Sequence, residues 1–237
     1  MSIDQSTIRN QLLRLLTPED FALLAPHLSP CHAERRKLLF KRDKKVETAW
    51  FLDSGIGSLI TVSPGGQRVE SGLFGRDGFA PVALAMGTDQ SPYEGLIQLS
   101  DDCHKLPAKA LQDAISHSPT LHNVLLRYAH TLSVQAAYTA LSNAVHPVDE
   151  RLARWILMCH DRTDGNELFL THEFLSTMLA VRRPSVTTSL HVLEGKHLIR
   201  AERGCIIVRD RAGLVEFARD AYGPPEAEYE RLLGPLR

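Results

Sequence analysis

Apolar residues between positions 170 and 193 recur at intervals of three and four, the spacing of helices that bury one face. The recurring positions are Phe174, Leu175, Met178, Leu179, Val186, Leu190 and Leu193. Thr171 precedes the first set and can cap a helix with its hydroxyl, while Pro184 precedes the second set, where a missing N–H group costs nothing. The pattern predicts two short helices joined by a tight turn.

A β-hairpin is predicted directly after these helices. Residues 198–200 and 205–208 are β-branched runs, and the four residues between them include Gly204, which favours a turn. From position 171 to 211 the chain has seven basic residues and four acidic ones, although its overall formal charge is −1. This local positive charge is typical of a surface that binds phosphate groups, and an ordinary helical hairpin with solvated arginines is the alternative.

The chain before position 118 has a different pattern. Residues 1–29 carry apolar side chains at helical spacing, and after Pro30 short runs typical of β-strands recur roughly every ten residues. These runs are residues 37–40, 49–52, 57–62, 68–74 and 95–99. Segments with glycine, such as 63–66 and 75–78, supply turns between them. The pattern predicts flanking helices and a small antiparallel β-roll of jelly-roll type.

A long helix is predicted from Ser118 to about Val145, because serine caps its start, proline follows, and no helix breaker interrupts it. Residues along it alternate spacings of four and three, as in a coiled-coil seam. The seam residues are Leu121, Leu125, Tyr128, Leu132, Gln135 and Thr139. Apolar residues at 124, 134, 138, 141 and 145 lie on other faces. We expect the seam to pair two copies of the chain, and a helix packed wholly within its own chain is the alternative.

Pro147 marks a domain boundary, since the residue before a proline is steered away from helical angles. Residues 148–159 have acidic side chains in the first turn and an apolar stripe, which predicts another helix. One more short helix is predicted around 214–217, and the Pro- and Glu-rich residues 223–237 predict a loosely attached tail. We expect an α+β fold with regions at 1–117, 118–146 and 147–237.

Residues 171–194 and the hairpin after them resemble, without a gap through the two helices, the winged helix-turn-helix of the Crp/Fnr superfamily of bacterial transcription regulators. Residues 146–157, HPVDERLARWIL, resemble the first helix of that DNA-binding domain, and the roll resembles the superfamily's cyclic-nucleotide-binding-type domain. The resemblance implies a homodimeric regulator whose second helix enters the major groove of a pseudo-palindromic site. The partners it implies are double-stranded DNA, a second copy of the chain, RNA polymerase and an unidentified small-molecule effector.

The resemblance also implies roles for single residues. Arg183 falls on the arginine that bonds guanine in the family, and Thr188 falls on a base-facing position. The phosphate-side positions hold Thr171, Arg182 and Ser185. Pro184 replaces the acidic residue that often follows the arginine, which removes an acceptor for a cytosine amino group and puts the family's best-known half-site in doubt. The candidate DNA-binding residues are Thr171, Arg182, Arg183, Ser185, Thr187, Thr188, His191, Lys196 and Arg203.

Cofactors are not expected. Residues 78–92 correspond to the nucleotide-binding cassette of the family, but they contain no arginine or glutamate to hold a cyclic phosphate and a ribose, so cyclic AMP is not predicted. The four cysteines lie far apart without a C-x-x-C pair, so neither zinc nor an iron–sulfur cluster is predicted, and nothing in the sequence supports haem. No catalytic motif is present, and the chain is not expected to be an enzyme.

Composition places the protein among soluble globular chains, with 43% hydrophobic and 23% charged residues. No stretch approaches the roughly 18 uncharged apolar residues of a membrane span, and the first residues do not resemble a signal peptide, so we expect a cytoplasmic protein that does not bind membranes. The rival function is a ligand-binding signalling module that acts through protein partners and uses its winged helix as an interaction surface.

Overall fold

The computed structural model describes residues 3–237, with the backbone alone at Asp101. Its amino-terminal strands are β1 (Ser29–Ala33), β2 (Leu38–Phe40), β3 (Thr48–Leu52), β4 (Ile56–Val62), β5 (Arg68–Phe74), β6 (Glu94–Leu99) and β7 (Asp101–Pro107). They pair antiparallel, in one sheet of order β1-β7-β3 and a second of order β2-β6-β4-β5. The predicted antiparallel roll is confirmed.

Short helices flank the roll. Two of them precede it, α1 (Gln11–Leu15) and α2 (Pro18–Leu24), and the side chains of Asn10 and Thr17 cap them by accepting backbone N–H groups. A third, α3 (Ala108–His117), follows β7. The apolar faces of these helices join the strands in one amino-terminal core.

The long helix α4 spans Pro119–Val145, which confirms the predicted element. Ser118 caps its start, because the serine Oγ accepts the N–H of Leu121 at 3.1 Å. At 1.5 Å per residue the 27 residues extend for about 40 Å. The helix ends before Pro147, as the restriction on the residue preceding a proline requires.

The heptad seam of α4 lies against the protein's own roll, not on a free surface. All six predicted dimer residues are buried within the chain, and they are Leu121, Leu125, Tyr128, Leu132, Gln135 and Thr139. The Oε1 atom of Gln135 accepts the N–H of Leu73 on β5 at 2.7 Å, and its Nε2 donates to the carbonyl of the same residue at 3.3 Å. The prediction that this seam pairs two copies of the chain is therefore wrong. Heptad spacing identifies a buried stripe but does not say what buries it.

A different stripe of α4 remains uncovered, which we call the outer face. Its residues are Ala137, Tyr138, Leu141, Ala144 and Val145, at helical spacings of three and four. Leu141 is 48% exposed and Val145 is 61% exposed, and Tyr138 is half-buried. The outer face is thus the part of α4 that a second chain could cover.

The carboxy-terminal region contains a winged helix-turn-helix. Its elements are α5 (Val148–Arg162), β8 (Glu167–Leu168), α6 (His172–Met178), α7 (Arg183–Gly195), β9 (Ile199–Glu202), β10 (Cys205–Val208), α8 (Arg211–Ala218) and α9 (Pro224–Leu233). The strands form an antiparallel sheet of order β8-β10-β9, in which β9 and β10 are the predicted hairpin. The α+β class and the predicted order of its parts are confirmed.

Helix α5 joins the two halves of the molecule. The guanidinium of Arg162 forms two hydrogen bonds with the carboxylate of Asp77 in the roll, from Nε at 3.0 Å and from Nη2 at 2.8 Å. Both side chains are at least 96% buried. Arg154 on the same helix donates to Thr139 Oγ1 of α4 at 3.1 Å. The winged region is therefore attached to the roll through paired, buried charges.

The expected loose tail at 223–237 is wrong. Residues 224–233 form α9, which packs along α4, and Tyr229, Leu233 and Leu236 are buried in the amino-terminal core. The hydroxyl of Tyr229 donates to the carbonyl of Asp77 at 2.8 Å. The prolines on which the prediction of a loosely attached tail rested instead occupy the first turn of α9, where proline is favoured.

Candidate nucleic-acid interface

The two helices of the motif are built as their sequence predicts. The Oγ1 of Thr171 accepts the N–H of Phe174 and caps α6, and a tight turn through Ala180, at φ 51°, leads into α7. Arg182 is the cap residue of α7, and Pro184 lies in its first turn. The apolar faces of both helices, with the hairpin strands, form one carboxy-terminal core.

The side chains predicted to bind DNA fall into two groups by their exposure to solvent. Thr171 and Thr187 are half-buried, and the other seven are exposed, namely Arg182, Arg183, Ser185, Thr188, His191, Lys196 and Arg203. Both threonine hydroxyls of α7 donate back to its own backbone, from Thr187 to the carbonyl of Arg183 at 3.3 Å and from Thr188 to that of Pro184 at 3.1 Å. The amino-terminal end of α7 therefore presents a cluster of basic and hydroxyl groups to solvent.

Two predicted residues lie away from that cluster. Lys196 follows α7 and places its Nζ over the ring of Phe217, 5.6 Å from the centroid. It is about 20 Å from Arg183 along the helix axis, since thirteen residues separate them at 1.5 Å each. Arg203 lies in the turn between β9 and β10 beside Gly204, whose φ of 77° suits glycine. Each could reach a phosphate, but at a different part of a duplex from Arg183.

Glu173 is a residue that the sequence reasoning missed. Its Oε2 lies 3.5 Å from Nη2 of Arg183 and 3.4 Å from Nη2 of Arg36 in the roll. An acidic partner for Arg183 is thus supplied from the neighbouring helix α6, although Pro184 occupies the next position in sequence. These side chains are more than half exposed, and exposed ion pairs contribute about 0–1 kcal/mol, so Arg183 can exchange this partner for a base or phosphate.

The roll contacts the start of α6. Nη2 of Arg35 donates to Oγ1 of Thr171 at 3.4 Å, beside the contact of Arg36 with Glu173. A groove of about 270 Å³ lies between these elements and is lined in part by Arg68 and Phe174. Both contacting arginines belong to a segment, 35–45, in which seven of eleven residues are basic. That charge run was the sequence signal for this contact.

Aromatic side chains of the protein occupy part of the space between the roll and α4. The ring of Phe79 lies 5.4 Å from that of Phe51 and 5.7 Å from that of Tyr128, measured between centroids. Tyr128 covers Gly78 so closely that an added Cβ there would lie 1.8 Å from its ring. A cavity lined in part by Tyr128 and Tyr229 has about 10 Å³, the volume that one water molecule needs.

The interior of this region also contains a buried acid. Among the described residues, the carboxylate of Glu70 on β5 has no hydrogen-bond partner. Burial raises the pKa of Glu70 well above the usual 4.5, although Ser58, Arg154 and Arg162 act to lower it. Among the side chains that the structure describes, no group of three His, Cys, Asp or Glu residues is placed to hold a metal ion. Within residues 3–237 no helix is both long and apolar enough to cross a membrane.

Comparison with known proteins identifies the carboxy-terminal region. Residues 150–217 match the family described as the Crp-like helix-turn-helix domain. A search of curated proteins finds no match for the chain.

Solved structures resemble most of the chain. A protein described as a transcriptional regulator of the Crp/Fnr family from Eubacterium rectale is 18% identical, with a TM-score of 0.66 over 88% of this chain and 97% of that one. FixK2 from Bradyrhizobium japonicum is 12% identical, with a TM-score of 0.67 over 81% of this chain and 98% of that one. A CRP/FNR-family transcriptional regulator from Thermus thermophilus is 19% identical, with a TM-score of 0.62 over 80% and 98%. The protein thus has the fold of the Crp/Fnr transcription regulators and carries their Crp-like helix-turn-helix domain.

Proposed function

We propose that this protein is a homodimeric transcription regulator that binds a pseudo-palindromic DNA site with α7 in the major groove. The observation that carries the proposal is the exposed start of α7, where Arg182, Arg183 and Ser185 share one helix end. Arginine reads guanine through two hydrogen bonds in the major groove, and hydroxyl and backbone N–H groups at a helix start hold phosphates. The weak contacts of Arg183 and Thr171 with Glu173 and Arg35 leave both residues able to bind DNA instead.

The outer face of α4 supports the dimer. Leu141, Val145 and the half-buried Tyr138 form an apolar stripe that the chain leaves partly uncovered, and a parallel copy of α4 would bury it. Two α7 helices held about 34 Å apart could then enter successive major grooves on one side of a duplex.

The dimer is tested by sedimentation. Leu141→Glu places a charge in the proposed interface and should shift the protein from dimer to monomer. Leu15→Glu is the matched control, because Leu15 on α1 is exposed to a similar extent, 45% against 48%, and should remain dimeric. A Leu141→Glu protein that sediments as the unaltered protein would remove the outer face from the proposal.

We also propose that the roll works without a cyclic nucleotide. The aromatic side chains between the roll and α4 support this, as does the absence of arginine and glutamate from 78–92. Titration calorimetry with cyclic AMP should then show no heat of binding.

The DNA function is tested by selecting bound sites from a random DNA pool and measuring affinity for the selected site and for random DNA. Arg183→Ala should weaken binding to the selected site by about 1–3 kcal/mol and relax preference at one base pair. Arg14→Ala, at an exposed arginine of α1, is the matched control and should leave both affinities unchanged.

Two results would count against the proposal. Equal losses on selected and random DNA would show that Arg183 contacts phosphate only. A protein that does not shift random DNA even at low salt would favour the rival function, a signalling module that acts through protein partners.

A further inference from the structure

Two cysteines face each other across neighbouring strands of the roll. The register of the antiparallel pair β1 and β7 sets Cys31 directly opposite Cys103. Directly opposed residues in such pairs have Cα atoms about 4.5–5.5 Å apart, within the range of about 4.4–6.8 Å that a disulfide spans. Both residues are free thiols, although 72 positions separate them in sequence.

The thiols are oriented toward each other's strand. The Sγ of Cys31 donates to the carbonyl of Cys103 at 3.3 Å, and the Sγ of Cys103 donates to the carbonyl of Cys31 at the same distance. This reciprocal arrangement places both sulfur atoms in the space between β1 and β7. Since the Cα spacing of directly opposed residues lies within the disulfide range, a bond between the two sulfur atoms is compatible with the paired strands.

The two thiols have different surroundings. Cys31 lies on the edge strand and is half-buried, whereas Cys103 is only 1% exposed. A hydrogen bond from Cys103 and the charges of Lys37 and Lys105 lower the pKa of Cys31 to about 7. The same interaction and burial raise the pKa of Cys103. A thiolate is the nucleophile in thiol oxidation, so Cys31 is suited to react first with an oxidant. Cys103 is then placed to attack the oxidised sulfur of Cys31.

The remaining two cysteines do not share these features. Cys159 is fully buried in α5, and burial raises its pKa. Burial together with the charges of Glu167 and Glu202 also raises the pKa of Cys205. Selective reaction at Cys31 is therefore expected.

We propose that Cys31 and Cys103 form a redox-active dithiol that a hydroperoxide converts to an intramolecular disulfide. The thiolate of Cys31 attacks one oxygen of the peroxide, which breaks the O–O bond, forms a sulfenic acid on Cys31 and releases hydroxide. The sulfur of Cys103 then attacks the sulfur of Cys31 as its thiol proton passes to the departing hydroxyl group, the S–O bond breaks, and water leaves. Two thiols lose two electrons and two protons in total, and hydrogen peroxide becomes two molecules of water. A dithiol reductant reverses the change by thiol–disulfide exchange.

Mass spectrometry tests the proposal on the full-length protein. The protein is treated with hydrogen peroxide at a small molar excess, remaining thiols are blocked with N-ethylmaleimide, and peptides are mapped without reduction. We expect a 2 Da loss, a peptide pair joined through Cys31 and Cys103, and blocked thiols at Cys159 and Cys205. Dithiothreitol should restore the original mass.

Several outcomes would overturn it. They are blocked, unoxidised thiols at both Cys31 and Cys103, a stable sulfinic acid on Cys31 beside a blocked Cys103, or a link that includes Cys205. The variant Cys103→Ser removes the resolving thiol, so dimedone should trap a sulfenic acid on Cys31 in that variant and not in the unaltered protein. Cys205→Ser is the matched control and should form the same link. If Cys103→Ser does not fold, the peptide map of the unaltered protein decides the question.

Discussion

Arg162 and Arg183 belong to the same carboxy-terminal region and have opposite surroundings. Arg162 on α5 is almost completely buried and forms two hydrogen bonds with Asp77 in the roll. Arg183 on α7 is 64% exposed, and its carboxylate neighbour Glu173 lies at 3.5 Å. Arg162 therefore cannot exchange its carboxylate partner for a ligand from solvent, whereas Arg183 can.

The two arginines separate two tasks, attachment of the winged region to the roll and binding of DNA. A buried charge needs its partner, because an unpaired one is poorly solvated, so the pair of Arg162 and Asp77 fixes how the winged region sits on the roll. An exposed arginine pays little to release a weak surface partner and can bind a base or phosphate. Substitutions on the buried side should therefore change stability, and substitutions on the exposed side should change DNA affinity.

The largest effect is expected from Arg162→Met. The substitution leaves the carboxylate of Asp77 buried without its cation, which should lower the free energy of unfolding by about 3–5 kcal/mol. Urea denaturation followed by circular dichroism measures it. Arg182→Ala, at an exposed arginine, is the control and should change stability by less than about 0.5 kcal/mol.

A double variant sharpens this test. Arg162→Met with Asp77→Asn removes both charges, so it should lose less stability than the two single variants lose together. Additive losses would show that the two side chains do not stabilise the protein as a pair.

A smaller effect, which depends on pH, is expected from Glu70→Gln. Burial raises the pKa of Glu70, so the folded protein keeps a proton that the unfolded chain releases above its ordinary pKa of 4.5. The contribution of this raised pKa to the free energy of unfolding is fully present below pH 4.5. It is lost as pH rises toward the pKa of the folded state, by at most about 1.4 kcal/mol per pH unit. Glutamine cannot ionise, so the variant should gain stability relative to the unaltered protein between pH 5 and pH 8.

Urea denaturation at each pH checks this expectation. Glu47→Gln, at an exposed glutamate of the roll, is the control and should keep the pH dependence of the unaltered protein. A Glu70→Gln protein with that same pH dependence would mean that Glu70 is ionised in the folded state.

The smallest effect on stability is expected from Arg203→Ala in the hairpin turn. Stability should change by less than about 0.5 kcal/mol, whereas binding to all DNA sequences should weaken alike and the salt slope should fall by about one unit. Filter binding at several salt concentrations measures the slope. A loss confined to the selected site would mean that Arg203 reads a base.

Local patterns in the sequence predicted the helix-turn-helix and the hairpin correctly. Capping by Thr171, the apolar spacing of α6 and α7, and the glycine of the turn all act within a few residues, so a linear reading contains them. The same is true of the start of α4 at Ser118 and of its end before Pro147.

Contacts between distant parts of the chain were not predictable in this way. The seam of α4 has the spacing of a coiled coil, but its residues Tyr128 and Gln135 contact the roll of the same chain. Residue spacing alone cannot distinguish those neighbours from a second chain. Tyr229 meets Asp77 across 152 positions. The contact of Arg183 with Glu173 depends on the angle between α6 and α7. The tight turn sets that angle, and the spacing of residues in the sequence does not predict it.

Helix α9 makes the amino-terminal core depend on the carboxy terminus. Leu233 and Leu236 pack among side chains of the roll, and the carbonyl of Leu236 accepts a hydrogen bond from Gln11 on α1. A fragment that stops after the roll would expose the apolar patch that α9 covers. An isolated winged region would expose the apolar face of α9 to solvent. Both fragments should aggregate on expression, so biochemical dissection of this protein is better done by point substitution than by cutting it in two.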